Sequence, residues 1–289
     1  MKPGTALDRT ALDSHPLPPV IDGDKESKGR ILVIAGSREV PGAALLAARA
    51  AMRAGAGKLK IATVESVAPQ VAVAMPEAMV IALREHRGGG FARSAVRQIA
   101  HEAADCDAIV AGPGMTHGET CKRIAEKLMQ SPALLALDAA LLRSLSPLEG
   151  EEMERATLPV LLPHSGELAA LLDSDEHQVA ADPVRSGLRA AQLYSSVVLV
   201  KGVTSHVVHP DGRCWTYGGG APGLGVSGSG DVLAGIVGGL LSRGADPLAA
   251  LLWGVWLHGE AGAALARKVA PIGFLAREIA DEVPALLPR

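Results

Sequence analysis

Five short apolar runs in this chain each stop at glycine, proline or a charged residue, and that repetition constrains the fold more than any other feature. Arg30-Ile31-Leu32-Val33-Ile34-Ala35 stops at Gly36-Ser37, and Ala108-Ile109-Val110-Ala111 enters Gly112-Pro113-Gly114. Residues 133–137 end at Asp138, residues 159–162 end in Pro163-His164, and Val197-Val198-Leu199-Val200 ends in Lys201-Gly202. A run that is apolar at every position has both faces covered, as a buried parallel strand does. Residues 58–64 and 79–83 read as further strands, and 205–208 with 213–217, joined by Pro210-Asp211-Gly212, as a β-hairpin. Helical segments fall between and after them, at 41–55, 66–75, 91–104, 119–129, 167–172, 183–194, 231–241, 247–266 and 275–283. This alternation predicts a three-layer α/β domain, a mostly parallel sheet with helices on both faces. One such domain accounts for residues 1–289, with 1–28 as a loosely ordered leader that has one short helix around 7–12. In open sheets of this kind ligands bind beyond the carboxyl ends of the strands, which places the unusual polar residues along one rim.

A second feature points to the chemistry of that rim. Gly225-Val226-Ser227-Gly228-Ser229-Gly230-Asp231 runs directly into the apolar helix that starts Val232-Leu233-Ala234. Small residues let several N–H groups converge on one point, and the helix dipole adds partial positive charge there. An anion such as a phosphate fits that place, and Asp231 at its mouth is positioned to take a proton from an attacking hydroxyl. Gly223-Leu224-Gly225-Val226-Ser227-Gly228 has the spacing of a dinucleotide fingerprint, but loop rather than strand precedes it, so no Rossmann site is read. No Walker sequence is present.

Composition removes several function classes. A net charge of −3 with no long basic run, and only three Trp, two Tyr and two Phe, argue against nucleic-acid binding. Three cysteines without a CxxC pair suit reduced core residues of a cytoplasmic protein. No signal-type apolar region or stretch of some twenty apolar residues is found, so no membrane span is expected.

The remaining polar residues keep two readings each. Lys201-Gly202-Val203-Thr204-Ser205 is a phosphate or ribose cradle or a plain strand-to-turn junction. His164 and Glu167 are too few for a closed metal site; Ser165 is expected to cap the following helix, leaving His164 free to face a ligand. His258 and Glu260, two apart on a helix, point in different directions and read as structural. Asp138 either caps the next helix or touches solvent or metal.

Taken in order, the motifs resemble those of the ADP/ATP-dependent NAD(P)H-hydrate dehydratases, relatives of the ribokinase-like small-molecule kinases. The matching segments include Val33-Ile34-Ala35-Gly36-Ser37, Gly42-Ala43, residues 51–57, Pro76-Glu77-Ala78-Met79, Gly112-Pro113-Gly114 and Leu137-Asp138-Ala139. They continue through Pro163-His164-Ser165-Gly166-Glu167, Lys201-Gly202, Gly228-Ser229-Gly230-Asp231 and His258-Gly259. Ser165 stands where the family has a second proline, Ser229 where it has threonine, and Ala140 where it has a second aspartate.

The resemblance implies repair of NADH hydrate and NADPH hydrate. ADP or ATP phosphorylates the ring hydroxyl and phosphate then leaves, which solves the problem that water is a poor leaving group. It assigns Asp231 as base, with Gly228, Ser229 and Gly230 around the transferring phosphoryl group. Ala43, Gly114, His164 and Asp231 face the hydrate, and Lys201, Gly202, Val203, Thr204, Ser205 and Gly230 face the adenine nucleotide. Mg2+ is expected to offset phosphate repulsion, with no metal ligand assigned. The alternative is a kinase of a vitamin-precursor alcohol of the hydroxyethylthiazole type. Residues 249–266 form a helix apolar nearly all round, from which a homo-oligomer, dimer or tetramer, is expected.

Overall fold

The apolar runs pair as parallel strands in the computed structural model, which describes residues 4–19, 28–147 and 157–288. The strands are β1 (Thr5–Ala6), β2 (Arg30–Ile34), β3 (Lys58–Val64), β4 (Ala78–Leu83), β5 (Ala108–Ala111), β6 (Leu134–Leu137), β7 (Val160–Leu161), β8 (Val197–Val200), β9 (Ser205–Val208) and β10 (Cys214–Tyr217). The helices are α1 (Arg9–Asp13), α2 (Gly42–Arg53), α3 (Ala68–Ala74), α4 (Ala95–Ala103), α5 (Glu119–Met129) and α6 (Ser165–Leu171). They continue with α7 (Glu176–Ala181), α8 (Pro183–Leu193), α9 (Ser229–Ser242), α10 (Pro247–Lys268) and α11 (Ala276–Leu286). One sheet holds every strand, in the order β1-β10-β9-β8-β7-β6-β5-β2-β3-β4.

From β4 to β8 all neighbours are parallel, and β9 turns back against β8 as the first arm of the predicted hairpin. The unbroken hydrophobicity has its reason in the two faces. Ile31, Val33 and Val110 point into a core shared with α2, α9, α10 and α11, while Leu32, Ile34 and Ile109 point into one shared with α4, α5, α6 and α8. This is the predicted three-layer architecture.

Small residues set the spacing on the first face. A side chain at Gly235 or Gly239 of α9 would strike the carbonyls of Ala47 or Ala51 of α2, at 2.2 and 2.4 Å. The facing residues Ala47, Ala50, Ala51 and Ala54 are fully buried, so α2 and α9 lie backbone to backbone.

Two expectations need correction. The leader is not loose where it is described: β1 adds to the sheet beside β10, and Leu7 and Leu12 are buried. Trp253 Nε1 donates to the carbonyl of His15 at 2.9 Å, and the Arg9 guanidinium lies 4.7 Å from the Trp253 ring centroid. Backbone pairing and indole burial hold this segment in place. Residues 20–27 of the expected leader lie outside the described residues. The second correction concerns α10, whose apolar circumference is consumed inside the domain against α9, α11 and the sheet. Its composition is therefore accounted for by a central helix and does not itself call for a partner subunit.

Candidate functional site

β6, β7 and β8 are adjacent, so their carboxyl ends bring Asp138, His164 and Lys201 side by side. Lys201 Nζ donates to Asp138 Oδ1 at 2.7 Å and lies 3.8 Å from Glu167 Oε2. Asp138 also accepts from the N–H of Ala139 at 2.8 Å, opening a 3₁₀ turn over Ala139–Ser144. Of the two readings left open for Asp138, the structure thus shows the cap and adds an ion pair. Burial alone would lower the Lys201 pKa, but Asp138 and Glu167 reverse this and hold the amine above its usual value, hence charged. Asp138 is itself pushed up by burial and by Glu167, against the pull of Lys201.

The cap of α6 differs from expectation. His164, in extended backbone at φ −82° and ψ 174°, accepts at Nδ1 from the N–H groups of Gly166 and Glu167, at 3.1 and 3.4 Å. Glu167 Oε2 accepts in return from the His164 N–H at 2.9 Å, completing a capping box. Ser165 is already helical, so its hydroxyl donates to Glu176 instead, at 2.8 Å. His164 is not wholly free, since only Nε2 remains, 3.6 Å from Glu167 Oε1.

The glycine-rich loop arrives at the same rim. Gly228, at φ +88°, has the left-handed backbone that turns the chain into α9, and no side chain caps that helix. A Cβ placed on Gly230 would lie 3.7 Å from Lys201 Nζ and 3.8 Å from Asp138 Oδ2, so the loop faces the buried ion pair. Helix α9 starts at Ser229, two residues before the predicted start, which puts Asp231 in its first turn. Of the N–H groups at the end of this loop, that of Ser229 is taken by the Val226 carbonyl at 3.2 Å. Those of Gly230 and Asp231 keep no acceptor among the described residues. The Asp231 carboxylate has no hydrogen-bond donor there either. Burial first, and Asp138 second, raise its pKa from 3.8 to about 6, with Lys201 opposing.

Ala43 and Gly114 form a second part of the rim: a methyl on Gly114 would stand 2.6 Å from the Ala43 Cβ. The two parts meet where Leu46 of α2 reaches within 2.4 Å of a Cβ placed on Gly228. The segment 202–205 stays at the edge, with Val203 fully exposed and Ser205 Oγ donating to the Gly202 carbonyl at 3.3 Å. Among the described residues the Thr204 side chain makes no hydrogen bond to the charged cluster.

Sequence reasoning missed two partners. Glu167, which the sequence offers beside His164 as half of an incomplete metal pair, also flanks Lys201. His258 was read as structural, yet its Nε2 reaches Ser229 Oγ at 3.0 Å; its adjacency to Gly259 in the family-like motif was the signal. Glu260 fits the structural reading, accepting from the Tyr217 hydroxyl at 3.0 Å.

The sequence profile of the family described as NAD(P)H-hydrate dehydratase matches residues 31–285. The chain is 48% identical to the ADP-dependent (S)-NAD(P)H-hydrate dehydratase of Xanthomonas campestris pv. campestris, over 96% of this chain and 94% of that one. A crystal structure of the ADP/ATP-dependent NAD(P)H-hydrate dehydratase of Bacillus subtilis, co-crystallised with ATP and Mg2+, superposes with a TM-score of 0.85. It is 27% identical, and the match covers 99% of this chain and 98% of that one. A ribokinase-like superfamily protein of Enterococcus faecalis, 23% identical, has the same fold at a TM-score of 0.82, over 99% of this chain and 96% of that one.

Proposed function

The chain belongs to the NAD(P)H-hydrate dehydratase family, and from this membership we infer that it is an ADP-dependent dehydratase of hydrated NADH and NADPH. The vitamin-precursor kinase keeps no specific support. The observation that carries the mechanism is the Asp231 carboxylate, without a hydrogen-bond donor among the described residues and with its pKa raised by burial to about 6, beside the N–H groups of Gly230 and Asp231, which find no acceptor among those residues. A base of that pKa is mostly ionised at neutral pH and still basic enough to accept a proton. Asp231 takes the proton of the ring hydroxyl as its oxygen attacks the terminal phosphoryl group of the nucleotide. The two N–H groups and Lys201 meet the charge on that group. Breaking of the ring C–O bond then releases phosphate while the neighbouring ring carbon gives up a proton to water, which restores the nicotinamide double bond and gives NAD(P)H, phosphate and AMP.

Ala43, Gly114 and His164 line the hydrate side, and Lys201–Ser205 with Gly230 the nucleotide side. The donor set suits magnesium held largely by phosphate and water. Among the described residues no three His, Cys, Asp or Glu side chains converge, while Asp138 Oδ2 accepts no hydrogen bond and faces Gly230. Asp138 would hold such an ion, which supplies charge neutralisation between phosphates. The three cysteines are unpaired and buried, which supports a cytoplasmic setting. Homo-oligomeric assembly now rests on exposed Val40, Val73, Ile272 and Leu275, and a solution mass at the 29.6 kDa of one chain overturns it. Incubating enzyme, ADP and NADH hydrate tests the function: NADH, phosphate and AMP should form in equal amounts, and a stable phosphorylated product would refute the dehydratase.

A further inference from the structure

Helix α10 supports the anion loop and the chain leading into it from beneath at three points. Tyr217 lies so close to Gly259 that a Cβ there would stand 2.2 Å from its hydroxyl, and Leu224 crosses Gly262 in the same way, at 2.5 Å. These two contacts are packing. The third is polar: His258 Nε2 lies 3.0 Å from Ser229 Oγ and 3.1 Å from the Ser229 carbonyl oxygen. The mechanism above makes no use of it.

The geometry fixes where the hydrogens are. A carbonyl oxygen only accepts, so Nε2 carries the hydrogen; the other tautomer would set two lone pairs against each other. Sharing that N–H makes Ser229 Oγ an acceptor toward His258, and the hydroxyl hydrogen turns away from the ring. Without the histidine, a serine in a first helical turn donates back to a preceding carbonyl. The Val226 carbonyl, already 3.2 Å from the Ser229 N–H, stands ready for it. The hydroxyl is the one donor Ser229 has left, beside the free N–H groups of Gly230 and Asp231.

We propose that His258 is a positioning residue that aims the Ser229 hydroxyl, as a third donor, at the phosphoryl group passing from nucleotide to hydrate. Burial, with a smaller effect of Lys201, lowers the His258 pKa to about 4, so the ring keeps one hydrogen in the working range. The proposal rests on the dehydratase reading.

A four-member cycle of wild type, Ser229→Ala, His258→Leu and the double variant tests it. Turnover of NADH hydrate and the thermal shift produced by ADP are the readouts. Each single variant should lose roughly a hundredfold in kcat, the usual effect of one donor to a developing anion, with KM for the hydrate nearly unchanged. The double variant should lose no more than either single one. His258→Gln, which keeps an N–H near the Nε2 position, should recover at least a tenth of the wild-type rate. Multiplying losses, or a Ser229→Ala enzyme with normal kcat, would overturn the proposal, the latter even if His258→Leu does not fold. A wild type that forms no NADH sinks the dehydratase reading instead. In that case the positioning role stands or falls on whether both single variants reduce the ADP shift equally.

Discussion

Helices α9 and α10 are consecutive, apolar and buried in the same core, yet they begin in opposite ways. Asp246 caps α10, accepting from the N–H groups of Leu248 and Ala249 at 3.0 and 3.3 Å, with Pro247 in the first turn. Gly228 precedes α9 and offers its helix no side-chain acceptor. A cap of the α10 kind contributes about 1 kcal/mol. At α9 that stabilisation is forgone, and a carboxylate stands in the first turn with no hydrogen bond of its own. The end facing away from the ligand rim satisfies its donors internally, and the end on the rim keeps them for a guest. Local instability is the mark that separates the working helix from the structural one.

The largest test of this contrast is Asp231→Asn. Turnover, followed as NADH absorbance, should fall at least about a hundredfold, while the melting temperature at pH 8 rises. The sign follows from linkage. Because the folded pKa of about 6 exceeds the ordinary 3.8, the folded state holds this proton more tightly than the unfolded one. Ionised Asp231 therefore costs stability in full above pH about 6, on the order of 3 kcal/mol, and the cost disappears below pH about 4. The asparagine removes it. By the same titration, kcat/KM of the wild type should drop about tenfold per pH unit below about 6. A variant that melts lower than wild type, or a rate flat to pH 5, breaks the contrast. The smallest test is Asp246→Ala, which should lose about 1 kcal/mol in denaturant unfolding and leave kcat within about twofold. Equal damage to rate from both aspartates would mean that the two helix starts do the same job.

Much of the sheet was legible because a buried parallel strand writes an unbroken apolar run; β3, β5 and β8 have the predicted bounds. The rim followed from where those runs stop. Less legible was anything decided by a distant partner. β1 has two residues and no pattern of its own, and pairing with β10 alone makes it a strand. Ser165 has the better capping side chain by composition, but the backbone enters α6 one residue earlier, so His164 caps. The Asp138–Lys201 pair joins residues 63 apart, and His258 meets Ser229 across 29. Adjacency of strand tips and the crossing of two helices create these contacts, and neither can be read from spacing along the chain.

The glycine stripe of α9 has a consequence beyond packing. Ala43 stands at the start of α2 and Asp231 at the start of α9, so the two helices act as the jaws of one gauge, set by contact between Gly235 and Ala47 and between Gly239 and Ala51. A methyl added at either glycine would part the backbones, and the opening would be carried to the tips where Ala43 and Asp231 stand. Along this seam the calibration is held by the absence of side chains.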